Sequence, residues 1–512
     1  MLKDILTFLT IALFTTTFGY AQEIINPCGT VGELKDMVEA RALQNLSTLA
    51  EEPLEFRDVQ YIPIRFHLVG KSDGAGRVTE QRVLDQLCIL NQDYAPMDIQ
   101  FYLKGNDFFN YINNTTVYDN HANAINTFMT FQRDNGAINV YIVNDATPPG
   151  DQSLGTTLGY YYPIVGKDWV VVRKDEVGDL KSTLPHEIGH FFSLLHPHNG
   201  WDATPWSTQI GNPAPSISPG QVPTERADGS NCETAGDYLC DTPADYNGFG
   251  WGDCDYQGGA QDPTGVEIDP EERLFMGYYL NCNRDEYFFS DMQQDMVLTD
   301  LASGQRNYIR PPYTPSPEVT EAAAPQEPSE GEITPSFGNV YFEWSEVPNA
   351  TGYLLEVARN STFTITPHRV VTSNTSVNIS DIFTADRKYY WRVRPFNDLY
   401  SCVDFSEPVS FTTGTVQTAA NELEMVNSWS VNPNPVATEA QVNVQVNAAT
   451  AFEGNVTLHS INGALVQEVG QKNFIAGENN FLLATNRLNS GVYFISIQTD
   501  GGRINKRLIV TK

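Results

Sequence analysis

Positive charge is scarce in this chain of 512 residues, where 31 Lys and Arg stand against 63 Asp and Glu, a formal net charge of −32. That balance argues against nucleic acid or an anionic membrane surface as partner. It suits calcium binding, or acids that only keep the chain soluble. Long apolar runs are lacking beyond the N-terminus, so no later segment is expected to span a bilayer. Cysteine is sparse, seven in all, and an odd number leaves at least one thiol over. Histidine is sparse too, yet four of the eight fall within the thirteen residues from His186 to His198.

The first residues, MLKDILTFLTIALFTTTFGYA, read as a signal peptide, residues 1–21, cut after Ala21. A membrane anchor is the alternative, against which stand the shortness of the stretch and its interrupting threonines. Export makes disulfides available. Residues 22–52 are polar and helical in pattern, a pro-segment before the first core. From 53 to 312, strand-like runs (YIPIRFHLVG, IQFYL, INVYIV, WVVVR) alternate with helical spacing at Val78–Tyr94, Ser182–Leu195 and Asp291–Leu301, which predicts an α/β fold with a mixed sheet. Between Asn199 and Glu272 the chain is rich in Gly, Pro, Asp and Asn, and a loop of that length is usually functional. Cys232, Cys240, Cys254 and Cys282 cluster there as disulfide candidates, whereas Cys88, inside a helical pattern, reads as a buried apolar thiol.

A Pro-rich linker leads to short alternating runs at 318–414 that predict a β-sandwich. With Trp344, Tyr389, Tyr390 and Trp391 as core aromatics, this stretch resembles a fibronectin type III domain. A last all-β unit, 428–512, opens on VNPNP and ends in SGVYFISIQTDGGRINKRLIVTK. It resembles the C-terminal sorting domain read by type IX secretion, which implies the secretion machinery as partner, attachment at the cell surface, and a secreted or surface location.

The chemistry lies in LPHEIGHFFSLLHPH. On a helix, His186 and His190 point from one face, as two imidazoles sharing a zinc must. Glu187 stands where it can take a proton from a metal-activated water and pass it to a leaving amine. His196, six residues after His190, supplies a third ligand.

HExxHxxxxxH resembles the metzincin signature, except that Ser193 stands at its glycine. Glycine lets the backbone turn left-handed there. Serine does so at a cost on the order of 1 kcal/mol, which keeps His198 as an alternative third ligand. The metzincin resemblance implies a methionine turn beneath the metal, supplied by Met276 in RLFMGYYLNC, and a tyrosine, Tyr278, to hydrogen-bond the oxyanion. AGDYLCDTPAD, the cysteine-flanked methionine turn and IPIRFHLV with LNQDY narrow the resemblance to the pappalysin family, across residues 53–305. It implies a calcium held by Asp237, Thr242 and the carbonyl of Cys240, and Cys282 paired with Cys240 or Cys254. The pairing favoured within that framework is Cys232–Cys254 with Cys240–Cys282. NPCGT resembles the family's cysteine switch, which implies Cys28 as a zinc ligand of a latent state. The expected protein is a secreted zinc endopeptidase acting on proteins or peptides. The alternative is a surface binding or adhesive protein on the same scaffold that lost catalysis with the glycine.

Overall fold

The computed structural model describes residues 25–51, 58–151, 155–164, 167–248, 254–365, 367–380, 382–415, 425–437, 441–460, 464–486, 488–499 and 502–511. The expected signal peptide lies outside the described residues.

Two compact units emerge. The first gathers the described residues up to Asp58, Ile64–Val78 and Phe109–Ile309; the second gathers Val59–Pro63, Thr79–Phe108 and the chain from Arg310 onward. The strands of the N-terminal half are β1 (Ile25–Cys28), β2 (Gln60–Gly70), β3 (Ile99–Leu103), β4 (Asn110–Asn113), β5 (Ile138–Val143), β6 (Thr156–Tyr162) and β7 (Trp169–Arg173). Its helices are α1 (Glu33–Glu51), α2 (Glu80–Asp93), α3 (Thr115–Asn120), α4 (Thr130–Gln132), α5 (Thr183–Phe191) and α6 (Asp291–Ala302).

In the first unit the sheet runs β1-β6-β7-β5-β2, with β4 beside β2. Central β5 and β7, parallel to each other, are buried along nearly their whole length and are apolar except for Asn139 and Arg173, because both sheet faces are covered. β6 turns antiparallel to β7, and β1 pairs with it in parallel, Cys28 opposite Gly159. Helix α6 starts on a capping box, Ser290 with Gln293. Against α6 packs α1, whose Arg41 and Asn45 bond the buried Asp300.

In the second unit, α2 begins at Thr79, whose side chain accepts from Arg82 N, and buries Val83, Leu84, Leu87 and Leu90. Cys88 is not the buried thiol the helical pattern suggested. It is disulfide-bonded to Cys402, 314 positions away, because the helix lies against the sandwich: Asp85 pairs with Arg394 at 2.5 Å and Leu84 O accepts from Ser401 Oγ at 2.9 Å. The strands between Pro325 and Thr412 form sheets of three and five around Phe342, Trp344, Tyr389, Trp391 and Phe411, so Trp344, Tyr389 and Trp391 are core, whereas Tyr390, on the other face of its strand, is only half-buried. The strands between Val426 and Thr511 again form sheets of three and five, with inward Val442, Val444 and Val446 alternating with outward residues. The chain is thus a mixed α/β fold followed by all-β sandwiches.

The favoured disulfide pairing is also corrected. Cys232 bonds Cys240 and Cys254 bonds Cys282. The turn at Cys232–Thr234 and the left-handed Tyr238 fold the eight-residue separation back to a Cα distance of 5.0 Å, so the near partner is met first.

Candidate metal centre

Helix α5 is buried throughout, and His186 and His190 share its inner face, ring centroids 4.8 Å apart. A Cβ at Gly189 would stand 2.4 Å from Met276 Sδ, so only glycine lets the helix sit on that methionine. Met276 is fully buried in a turn closed by Gly277 N to Leu274 O. The helix ends because Ser193 takes a φ of 67°, with Ser193 N bonding His190 O and Leu194 N bonding Gly189 O. Ser193 makes the left-handed turn in place of glycine, and its hydroxyl accepts from Asn45 Nδ2 at 2.8 Å. The buried Arg306 holds the helix end. Its guanidinium donates to Phe191 O, lies 3.6 Å from the Phe191 ring centroid, and pairs with Asp300 at 2.8 Å and Asp168 at 2.9 Å.

The turn brings His196 back to the helix. His190 Nε2 and His196 Nε2 are 3.0 Å apart, and His196 Nε2 and His186 Nε2 are 3.2 Å apart. Each ring's other nitrogen faces an acceptor: His186 Nδ1 meets Phe275 O at 2.6 Å, His190 Nδ1 meets Leu194 O at 2.7 Å, and His196 Nδ1 meets Asp202 Oδ1 at 2.5 Å. A carbonyl or carboxylate oxygen only accepts, so each Nδ1 carries the proton and each Nε2 points a lone pair inward. Burial, followed by neighbouring imidazole charge, keeps His186 and His190 well below the ordinary histidine pKa. Burial also lowers His196, to about 4. Three neutral rings aiming lone pairs at one point repel unless a cation sits between them. Nitrogens on one tetrahedral zinc, each about 2.0–2.1 Å from it, stand about 3.3 Å apart, so these residues fit that ion.

Cys28 completes the cluster, its Sγ 3.4 Å from His190 Nε2, with the four ligand atoms within 4.8 Å of one another. Its thiol also donates to Glu187 Oε2 at 3.6 Å, and Thr30 Oγ1 donates to the same oxygen at 3.4 Å. Burial pushes the Glu187 carboxyl up to about 8 against those two hydrogen bonds, and Oε1 has no partner among the described residues. Gly159 leaves room for this carboxylate, since a Cβ there would meet Glu187 Cγ at 3.0 Å. The Tyr278 ring lies 6.0 Å from that of His186 and 4.8 Å from that of His196.

His198 stays out of the inner cluster. It stacks on His196 at 4.7 Å, and its nitrogens stand 3.6 Å from Asp245 and 4.0 Å from Asp202. In the long loop, Asp237 Oδ1 accepts from Thr242 Oγ1 at 2.8 Å and Leu239 N at 3.1 Å, with Cys240 in the same turn. Asp237 Oδ2 and Glu225 Oε2 are buried without partners among the described residues. Burial raises Asp237 to about 7; burial, then the charges of Asp237 and Asp245, raises Glu225 to about 9. Sequence reasoning missed Glu225, Asp202 and Arg306, which lie outside any motif and meet the site only by folding, and Thr30, which closes NPCGT two residues after Cys28 and was the one with a local signal.

Comparison with known proteins adds relatives. Residues 430–511 match the secretion system C-terminal sorting domain. An extracellular metalloprotease of Neurospora crassa is 28% identical over 255 residues, 44% of this chain and 73% of that protein. One of Sordaria macrospora is 28% identical over 36% of this chain and 56% of its own length, and one of Coccidioides posadasii 30% identical over 29% and 58%. A solved structure of a Tannerella forsythia promirolysin variant aligns over 56% of this chain and 97% of its own at 15% identity, with a TM-score of 0.35. The chain is therefore related to extracellular metalloproteases, ends in a segment matching the sorting domain, and is a secreted or cell-surface protein.

Proposed function

We propose that this protein is a zinc endopeptidase of the metzincin, pappalysin-like type, made with a latent N-terminal segment. The observation that carries the reading is the convergence of three Nε2 lone pairs, of His186, His190 and His196, within 3.0 to 3.2 Å steps. Zinc, when bound, supplies a Lewis acid that lowers the pKa of water and steadies negative charge on a carbonyl oxygen. Glu187 takes the proton of the attacking water and delivers it to the leaving amine. Tyr278 donates its hydroxyl to the carbonyl oxygen as that oxygen gains charge. The edge of β6, paired with β1 here, receives an extended peptide by strand addition once β1 leaves. Met276 floors the site.

Cys28 is the latent-state ligand in this reading. Burial and then the charge of Glu187 keep it a thiol where no cation is near. With zinc held by the three histidines, Cys28 would be favoured as the thiolate and would take the position otherwise open to water. Asp237, Thr242 and the Cys240 carbonyl are the candidate calcium ligands, and the unpartnered oxygens of Asp237 and Glu225 supply the negative charge a hard cation takes. Protein or peptide is the substrate, and the sorting domain hands the chain to type IX secretion. The adhesive alternative rested on Ser193, and the left-handed turn of that serine, with His196 at the cluster, gives it no support.

The test is zinc content and peptide hydrolysis of the protein before and after removal of residues 22–52. About one zinc per chain, activity that rises on removal, and at least a 100-fold loss in Glu187→Ala with zinc retained are expected. Stoichiometric zinc with no cleavage of a broad peptide library sinks the peptidase reading. Unchanged activity on removal sinks latency.

A further inference from the structure

The three imidazoles are not oriented alike. His186 and His190 sit on a helix and give their Nδ1 protons to main-chain carbonyls, Phe275 O and Leu194 O. His196 sits in a loop with no helix to fix its ring, and it alone faces a charged acceptor, Asp202 Oδ1 at 2.5 Å. That carboxylate is held in turn. Its Oδ2 accepts from Gly200 N at 3.1 Å and from Lys35 Nζ of α1 at 3.5 Å, and its side chain is only 5% exposed. The loop around it is set by Asn199 N to His196 O, Trp201 N to His198 O, and the buried Trp201 stacked on Tyr246. Asp202 is thus held by Gly200 N and Lys35 on the side away from His196.

We propose that Asp202 is the positioning residue of the third metal ligand. A carboxylate behind an imidazole fixes the tautomer and ring angle and raises the basicity of the opposite nitrogen. His196 needs this more than the helix-borne pair because its backbone position comes from a turn made by serine rather than glycine. Asp202 is also where α1 reaches toward the histidine cluster, through Lys35, whereas Cys28 reaches it from β1. The inference rests on the zinc reading of the three histidines.

The test is zinc affinity of the full chain, by competition with a chromogenic chelator, together with the visible absorption of the cobalt-substituted protein. Asp202→Asn keeps the shape and removes the charge; it is expected to weaken zinc 10- to 100-fold and to shift the cobalt spectrum. Its melting temperature in chelator should match the parent's. Asp202→Glu, which restores the charge, is expected to recover part of the affinity. Lys35→Gln loses a long 3.5 Å contact to the outer oxygen of Asp202 and can still donate to Asn199 Oδ1, which Lys35 holds at 2.6 Å, so zinc affinity should stay within about threefold of the parent. Equal zinc affinity in Asp202→Asn and parent overturns the assignment. So does an equal loss of melting temperature in the metal-free state, which would mark a merely structural role, or a Lys35→Gln loss as large as that of Asp202→Asn. A parent that binds no zinc instead removes the metal reading itself.

Discussion

Helix α5 and the loop from Ser193 to Asp202 deliver parts of one cluster by opposite means. The helix fixes His186 and His190 with its own repeating backbone bonds, and its surroundings, Met276 beneath and Arg306 at the end, only hold the rod in place. The loop has no repeating bonds. His196 is placed by a left-handed serine, by Asn45 on that serine's hydroxyl, and by Asp202. A local periodic element carries its geometry within itself, whereas a loop ligand borrows its geometry from contacts distant in sequence.

Three perturbations sharpen the contrast, in descending size. Arg306→Met removes the cation from Asp300 and Asp168 and from the last carbonyl of α5. Asp300 keeps Arg41 and Asn45, and Asp168 keeps the Tyr161 and Tyr308 hydroxyls, so the cost lies toward the lower end of the about 3–5 kcal/mol of a broken buried pair, and the melting temperature should fall by about 5–10 °C; a change under 2 °C would mean the helix needs no such anchor. Acid is the next probe. His67, between Asn110 and Asn139, and His121, between Asp145 O and the Tyr160 hydroxyl, are walled in away from the cluster, and burial lowers both to about 4.

With folded values below the ordinary 6.5, the stability these two histidines carry is complete above that pH and is lost as pH falls through about 4, up to about 3 kcal/mol each. A thermal midpoint measured from pH 7 to 4 should decline, and His67→Gln should flatten the decline. An unchanged slope would assign acid lability to the metal cluster alone. Smallest is Ser193→Gly. With residues 22–52 removed, and Asn45 with them, it should gain about 1 kcal/mol in urea unfolding by relieving the left-handed strain. In the full chain the lost Asn45 bond offsets part of that gain.

Much of this was legible beforehand, for reasons particular to each element. The i, i+4 spacing of His186 and His190 states a shared face because helical geometry is the same everywhere. The short alternating runs at 318–414 state sheet faces for the same reason. The cysteines were harder. Cys88 looked like core because its helical neighbours are apolar, and nothing near it in sequence announces Cys402. The loop disulfides followed the turn at Cys232–Thr234, not the spacing of motifs.

The sequence by itself determined the histidine cluster, the helix that carries two of its members, the glutamate beside the first, and the all-β character of the C-terminal region, since each is a short-range pattern with a fixed geometric meaning. Only the tertiary structure decided that Ser193 would turn as glycine does, that His196 rather than His198 would meet the pair, that Asp202 would stand behind it, and that Cys28 would reach the cluster from strand β1. Those are long-range meetings. They depend on which surfaces bury together and which buried oxygens find donors, and no local pattern encodes that.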